Sequence, residues 1–329
     1  MNQEEHAAGS TKKFFREGRS VSGYTLADFL HGYLYARWPY LYIGVATGEH
    51  SLARFLKPLF NFVSGLFFPK NEQQKEPGIA FADTYHGKVI PVEEAEKLVS
   101  IKEDIAVKNL EAVIPYQRAK DIILKNPQRI AVLDCPCRCS REDPCTPVDV
   151  CLIVGEPFVG FILEHQPERS RLISSEEAVQ ILREEHQRGH VSHAFFKDAM
   201  LDRFYAICNC CACCCGAFQA HRSGTPMLAS SGYLSRIRSE ICCGCGTCVE
   251  VCQFFAIERI NGVAVVDERE CFGCGVCVDQ CPEGAIELVR APEKGRPLEI
   301  WDLMGREEQA GDQLQGWEDS RDSAAGSPA

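Results

Sequence analysis

The chain has 329 residues, enough for two or three domains with sizeable cores. Its apolar fraction of 45% and charged fraction of 25% are those of an ordinary soluble globular protein, and a net charge of −11 argues against nucleic acid or an anionic membrane surface as a partner. Its 20 cysteines would mean disulfides in an oxidising compartment. However, Met1-Asn2-Gln3-Glu4-Glu5-His6 lacks the basic start and apolar core of a secretory signal, and the cysteines cluster as C-C and C-x-C, so metal binding in a reducing cytoplasm is expected.

In chain order, residues 1–20 are polar and mixed in charge, and are expected to be disordered. Residues 21–70 form an apolar segment of helical character, rich in Leu, Phe and Tyr. Its longest charge-free apolar runs, residues 38–48 and 58–69, fall short of the roughly 18–20 residues of a spanning helix, so no transmembrane span is expected. A core helix pair explains these runs. The alternative is an interfacial or partner-docking surface over residues 24–68 that could touch a membrane peripherally. Residues 70–77 read as a solvated linker.

Residues 81–222 read as a cysteine-rich domain, mainly helical or α/β. Tyr85-His86-Gly87-Lys88 reads as a loop or turn, and residues 92–99 and 114–124 read as helices, the latter opened by Ile114-Pro115. Residues 130–133 form a short apolar run, expected as a strand that delivers Cys135. Ser174-x-x-Glu177 is a capping box that opens a helix to about Arg188, closed by Gly189.

This domain holds two cysteine groups. The first is Cys135, Cys137 and Cys139, followed by Cys145 and Cys151; the second is Cys208, Cys210, Cys211, Cys213, Cys214 and Cys215. Each follows an apolar run, so the two loops could face each other. Thiolates packed this densely repel unless a cation neutralises them, which points to an iron–sulfur cluster, with zinc or metal-free redox-sensing thiols as alternatives. The expected site joins one or two thiolates from 135–139 to others from 208–215. Arg138 is expected in a surface salt bridge, or as a donor to a cluster sulfur or an anion. His190 and His193 are expected to be solvated, or else to be ligands.

Near the C-terminus one pattern occurs twice. Cys242, Cys245, Cys248 and Cys252 are spaced C-x₂-C-x₂-C-x₃-C, and Cys271, Cys274, Cys277 and Cys281 repeat that spacing 29 residues later, with Pro282 following. The repeat extends to Gly244, Gly246 against Gly273, Gly275, and to Ala256-Ile257-Glu258 against Ala285-Ile286-Glu287. Asn261-Gly262 between two apolar runs signals a hairpin. Three cysteines three residues apart can wrap a cube in a tight loop, while the fourth points away. Cys243 lies off the register and reads as a packed residue.

These motifs, over residues 236–291, resemble the dicluster bacterial-type 4Fe–4S ferredoxins. The resemblance implies a fold of class α+β, with a C-terminal ferredoxin-like (βαβ)₂ dicluster domain. It also implies one cluster on Cys242, Cys245, Cys248 and Cys281 and another on Cys271, Cys274, Cys277 and Cys252. Gln253 departs from the family by standing where the first run would carry proline. The upstream block, with Cys135-Pro136-Cys137-Arg138 and Ile207-Cys208-Asn209-Cys210-Cys211, is similar to that of uncharacterised ferredoxin-domain proteins of anaerobes. Cys214-Cys215-Gly216 is similar to the C-C-G element of non-cubane sites in heterodisulfide reductases, without that motif's downstream partners.

The expected function is electron transfer to or from a partner redox protein by two 4Fe–4S clusters and a further upstream cluster. The alternatives are an enzyme with a catalytic upstream cluster and a metal-dependent regulatory protein. No dinucleotide or phosphate loop opens a βαβ unit, and no flavin or nicotinamide site is seen. The tail, residues 305–329, is acidic and Ser/Gly/Ala-rich and is expected to be disordered.

Overall fold

A long strand that ends just before Cys135 organises the upstream half. In the computed structural model, which describes residues 3–53, 82–108, 110–116 and 121–305, the apolar run expected at 130–133 is the C-terminal part of β3 (Ile122–Asp134). Its neighbours are β1 (Tyr85–Val89), β2 (Ile105–Val107), β4 (Asp149–Glu156), β5 (Ser170–Ile173), β6 (Val191–Lys197), β7 (Arg203–Cys210) and β8 (Leu228–Ala229). These form an eight-stranded sheet in the order β2-β3-β4-β7-β6-β1-β8, with β5 also paired to β3. All pairings are antiparallel except β1 with β8. The upstream half is therefore built on a largely antiparallel sheet, not mainly on helices.

Two expectations made residue by residue fail here. Residues 85–88 are not a turn but lie in β1, and residues 114–124 are not a helix. Within that second stretch, Ile122–Leu124 pair with Ile105–Val107, while residues 117–120 lie outside the described residues. Periodicity missed β1 and β6 because both carry buried polar side chains: His86, Lys88, Ser192, His193 and Lys197 are all sealed off from solvent. A strand covered on both faces has no polar–apolar alternation to read.

Residues 3–18 form a helix where disorder was expected of residues 1–20. Helix α1 (Gln3–Gly18) buries Phe14 against Phe158 and Phe161, with ring centroids 6.0 and 5.6 Å apart. Glu17 then bridges Lys125 and Arg203 at 3.0 and 2.9 Å. A buried aromatic anchor, the Phe15–Phe29 ring contact at 4.9 Å and an ion-pair network thus hold a helix whose composition is polar. Helix α2 (Leu26–Arg37) opens on a Thr25/Asp28 capping box, and α3 (Pro39–Thr47) follows. Gly32 and Ala36 of α2 are buried; Leu26, Leu30 and Leu34, four residues apart, are exposed. Among the described residues no helix is long and apolar enough to cross a membrane. The linker at 70–77 and the apolar run at 58–69 lie outside the described residues.

Helix α4 (Val92–Val99) forms where periodicity placed it. A one-turn helix, α5 (Pro136–Cys139), follows β3, and α6 (Phe158–His165) follows β4. Helix α7 (Ser175–Gln187) has Ser174 accepting from the Glu177 N–H at 3.1 Å, and Gly189 lies beyond its end at φ 84°. Helix α8 (Gly216–Arg222) follows the second cysteine group.

The C-terminal cysteine repeat runs β9 (Tyr233–Ile237), α9 (Thr247–Val251), β10 (Ile257–Ile260), β11 (Val263–Val266), α10 (Val276–Asp279) and β12 (Ile286–Arg290). Strands β9 and β12 pair antiparallel, and β10–β11 is the hairpin turning on Asn261 and Gly262, both at positive φ. Met1–Leu298 form one compact unit, in which this segment packs on the upstream half. His186 Nε2 meets Asp279 at 2.7 Å, and Gln280 donates to the Gln187 carbonyl at 2.8 Å. Glu299 begins a second unit, of which a one-turn helix, α11 (Ile300–Leu303), is described; residues 306–329 of the tail lie outside the described residues.

Candidate metal centres

The fourth cysteine of each run lies beside the first three of the other. A cavity between β9, α9 and the start of β12 is lined by Cys242, Cys245 and Cys248 of the first run and by Cys281 of the second. Burial raises the Cys248 thiol, and the charges of Cys242, Cys245 and Cys281 add to that. In the other half burial raises Cys274, whose charged neighbours are Cys277, Cys252 and Cys271. Cys277, raised by burial to about 12, has its Sγ 3.1 Å from Ser235 Oγ. Each of these thiols needs a cation to ionise at neutral pH.

The repeat also matches in its donors. Ala256 N–H points at Cys252 Sγ and Ala285 N–H at Cys281 Sγ, both at 3.3 Å. Gly246 and Gly275 stand at φ 91° and 85° immediately before α9 and α10, so each loop turns sharply into its helix. Gly244 and Gly273 are at positive φ too, and a Cβ there would collide with the carbonyl oxygens of Gly262 and Tyr233. Thiolate donors, a cavity between them and N–H groups aimed at sulfur are the fittings of an iron–sulfur cradle. Cys243 and Cys245 are exposed, which corrects the packed reading of Cys243.

The eleven upstream cysteines divide into two sets and one outlier. Six form a chain of thiol contacts through the sheet end, in the order Cys208, Cys151, Cys135, Cys137, Cys215, Cys210. Cys151 and Cys208 face each other across β4 and β7. Hydrogen bonds from Cys137 and Cys151 hold the Cys135 thiol well below the ordinary range, against burial and with help from Arg138. Gly216 N–H points at Cys137 Sγ at 3.5 Å.

The second set is Cys145, Cys211, Cys213 and Cys214, whose sulfurs all lie within 4.8 Å of one another. Burial and the Cys213 contact push the Cys145 thiol up to about 12. Cys213 is lowered: burial opposes this, but hydrogen bonds from Cys145, Cys211 and Cys214 outweigh it. Cys139 joins neither set and lies by Asp134 and Arg169. The two loops do face each other, but the 208–215 run is shared between two sites, and Cys214 and Cys215 of the C-C-G element go to different ones.

Arg138 is not on the surface. It is buried and donates to Glu185, to the Pro147 carbonyl, and to the Asn209 carbonyl at 3.1 Å. His190 is also buried, with Nδ1 2.7 Å from Glu185. His193 is sealed between sheet and α8, its ring 5.5 Å from Phe218, and burial lowers its pKa to about 4. Both histidines were expected in solvent. Arg138 and His190 find partners around Glu185 and His193 Nδ1 lies 3.1 Å from the Val191 carbonyl, while His193 Nε2 is buried without a hydrogen-bond partner among the described residues.

Residues 241–286 match the 4Fe-4S dicluster domain family. That segment spans all eight register cysteines, so the chain carries an iron–sulfur ferredoxin-type domain. Among curated proteins none matches the chain.

Sequence reasoning missed two features of this region. Gln253, noted only as a departure, accepts the Ala212 N–H at 2.8 Å inside the upstream cysteine loop. Lys197 lies under the rings of Tyr85, Tyr35 and Tyr42 at 4.5, 5.1 and 5.9 Å, beside the tyrosines that neighbour Cys208. The C-x₂-C spacing of Cys211 and Cys214 was a readable signal for the four-cysteine set.

Proposed function

We propose that this is a cytoplasmic iron–sulfur electron carrier. Its ferredoxin segment holds two 4Fe–4S clusters, on Cys242, Cys245, Cys248, Cys281 and on Cys271, Cys274, Cys277, Cys252, and exchanges single electrons with a partner redox protein. The observation that carries this reading is the cavity lined jointly by three cysteines of one run and the fourth of the other. When bound, such clusters supply one-electron storage at potentials within about −700 to +450 mV, tuned by charge, N–H···S bonds and solvent access. The chain supplies the last two through Ala256, Ala285 and the burial of Cys248, Cys271 and Cys277.

A further cluster belongs on the buried six-thiol chain, of which four would serve as ligands. The sulfurs there follow one another in a chain instead of gathering about one point, as the ligands of a multinuclear cluster do. The two sites are contiguous. Phe272 follows Cys271, stacks on Phe254 at 4.4 Å, and Phe254 meets Phe218 at 4.9 Å, three residues past Cys215. The Cys271 half therefore faces the interior. The Cys242 half, with Cys243 and Cys245 exposed, is the side open to a partner, and the acidic chain would steer a basic one.

Anaerobic purification with iron, sulfide and low-temperature paramagnetic resonance measurements tests both parts. About twelve irons matched by sulfide are expected, falling to about eight in Cys135→Ser/Cys151→Ser with the ferredoxin signals kept. Iron-free protein would end the reading, and a variant that keeps all signals would remove the upstream cluster.

A second reading, an enzyme acting at the upstream cluster, is favoured by the Lys197–tyrosine group beside Cys208, since buried proton-bearing side chains next to a redox centre suit coupled proton and electron transfer. Perturbation of the upstream resonance by an added disulfide would favour it over the carrier.

A further inference from the structure

Four upstream cysteines form a site of their own. Cys211, Cys213 and Cys214 come from one turn between β7 and α8, and Cys145 comes from the loop between α5 and β4. Cys145 Sγ is 3.2 Å from Cys213 Sγ, which is 3.7 Å from Cys214 Sγ, and all four sulfurs are within 4.8 Å of one another. A metal–thiolate bond of about 2.3 Å with tetrahedral angles sets ligand sulfurs about 3.8 Å apart. A cube puts four irons between its thiolates and needs them much farther apart. A disulfide needs about 2.05 Å and uses only two of the four.

We propose that Cys145, Cys211, Cys213 and Cys214 hold one thiophilic divalent ion, zinc or ferrous iron, in a closed tetrathiolate site distinct from the iron–sulfur clusters. Four thiolates fill a tetrahedral shell and leave no open position for a substrate, so with zinc the site is structural. It ties the loop before β4 to the turn after β7. Arg141, from the same loop, donates to the Cys214 carbonyl at 3.0 Å and pairs with Glu49, placing a positive charge at the rim of an anionic site. Ala212 lies inside the turn, so the ion also fixes the N–H that Gln253 of the ferredoxin segment clasps. The metal would thereby set how the ferredoxin half seats on the upstream half.

Metal and acid-labile sulfide analysis of the anaerobically purified full chain tests this. The parent should carry one metal equivalent that sulfide does not account for: either one zinc or one iron in excess of sulfide. Cys145→Ser/Cys213→Ser should lose that equivalent with sulfide unchanged. Loss of iron and sulfide in equal amounts, or no loss of metal, would overturn the proposal. A second measurement needs only the parent. Cys213 and Cys243 are both exposed. Anaerobic alkylation should label Cys243 at once and Cys213 only after a chelator is added; equal labelling of the two without chelator would overturn the proposal as well. Failure of the cluster reading would show separately, as absence of sulfide.

Discussion

The side-chain carbonyl of Gln253 accepts a hydrogen bond of 2.8 Å from the backbone N–H of Ala212. The matching residue of the second run is Pro282, which has no amide to offer. The departure from the repeat thus forms the clasp between the ferredoxin segment and the upstream cysteine turn. Gln253→Ala leaves the buried Ala212 N–H without this acceptor, at about 1–3 kcal/mol. Each kcal/mol corresponds to a fall in Tm of about 2–4 °C in a domain of this size class. Calorimetry of the anaerobic protein checks it, and an unchanged Tm would remove the clasp.

The cluster loops depend on two glycines that cannot be replaced. At Gly244 and Gly273 positive φ combines with a backbone oxygen where a Cβ would go. Positive φ alone costs a non-glycine residue about 1–2 kcal/mol, and the collision forces the loop to move. Gly244→Ala and Gly273→Ala should each lower iron incorporation, while Gly224→Ala, at similar φ but with open space around it, should not. Iron per chain is the readout.

Arg138 and Glu185 form an ion pair whose side chains are each 1% exposed. Removing Arg138 leaves the buried Glu185 with only Arg188 at 3.1 Å and His190 at 2.7 Å as partners, at up to about 3–5 kcal/mol. Arg138→Met should therefore destabilise strongly, and Arg138→Met/Glu185→Gln should recover more than half of the loss. Denaturant unfolding measures both. Equal stability of the single and double variants would refute the coupling.

Acid should weaken the fold through His31. Burial, with Lys197 nearby, lowers its pKa to about 3, and its Nε2 lies 2.8 Å from the Tyr42 hydroxyl. Between that value and about 6.5 the unfolded chain binds a proton that the folded chain refuses. Stability is then lost as pH falls below about 6.5, by about 1.4 kcal/mol per pH unit for this one group. His31→Asn should flatten the stability–pH curve by one proton in that window. An unchanged slope would show that His31 is not the group responsible.

The sequence alone determined the ferredoxin segment. Its eight cysteines, paired glycines and Asn-Gly turn are local signals whose spacing dictates geometry within a few residues, and the hairpin, the short helices and the approach of Cys281 to the first run follow from that register. The Ser174 cap was legible for the same reason, because an N-cap hydrogen bond acts within one turn. Tertiary structure decided everything that depends on partners distant in sequence. Polarity suggested disorder for α1 and solvent for Arg138, His190 and His193, yet Phe14 is anchored by α6 and the other three are buried around Glu185 and the sheet. The division of eleven upstream cysteines into a buried chain and a compact quartet is likewise a product of strand pairing, which sets Cys151 against Cys208 and carries Cys145 to Cys213, 68 residues away. Spacing fixes which atoms can meet within a loop; only the free energy of packing the whole sheet selects which loops meet.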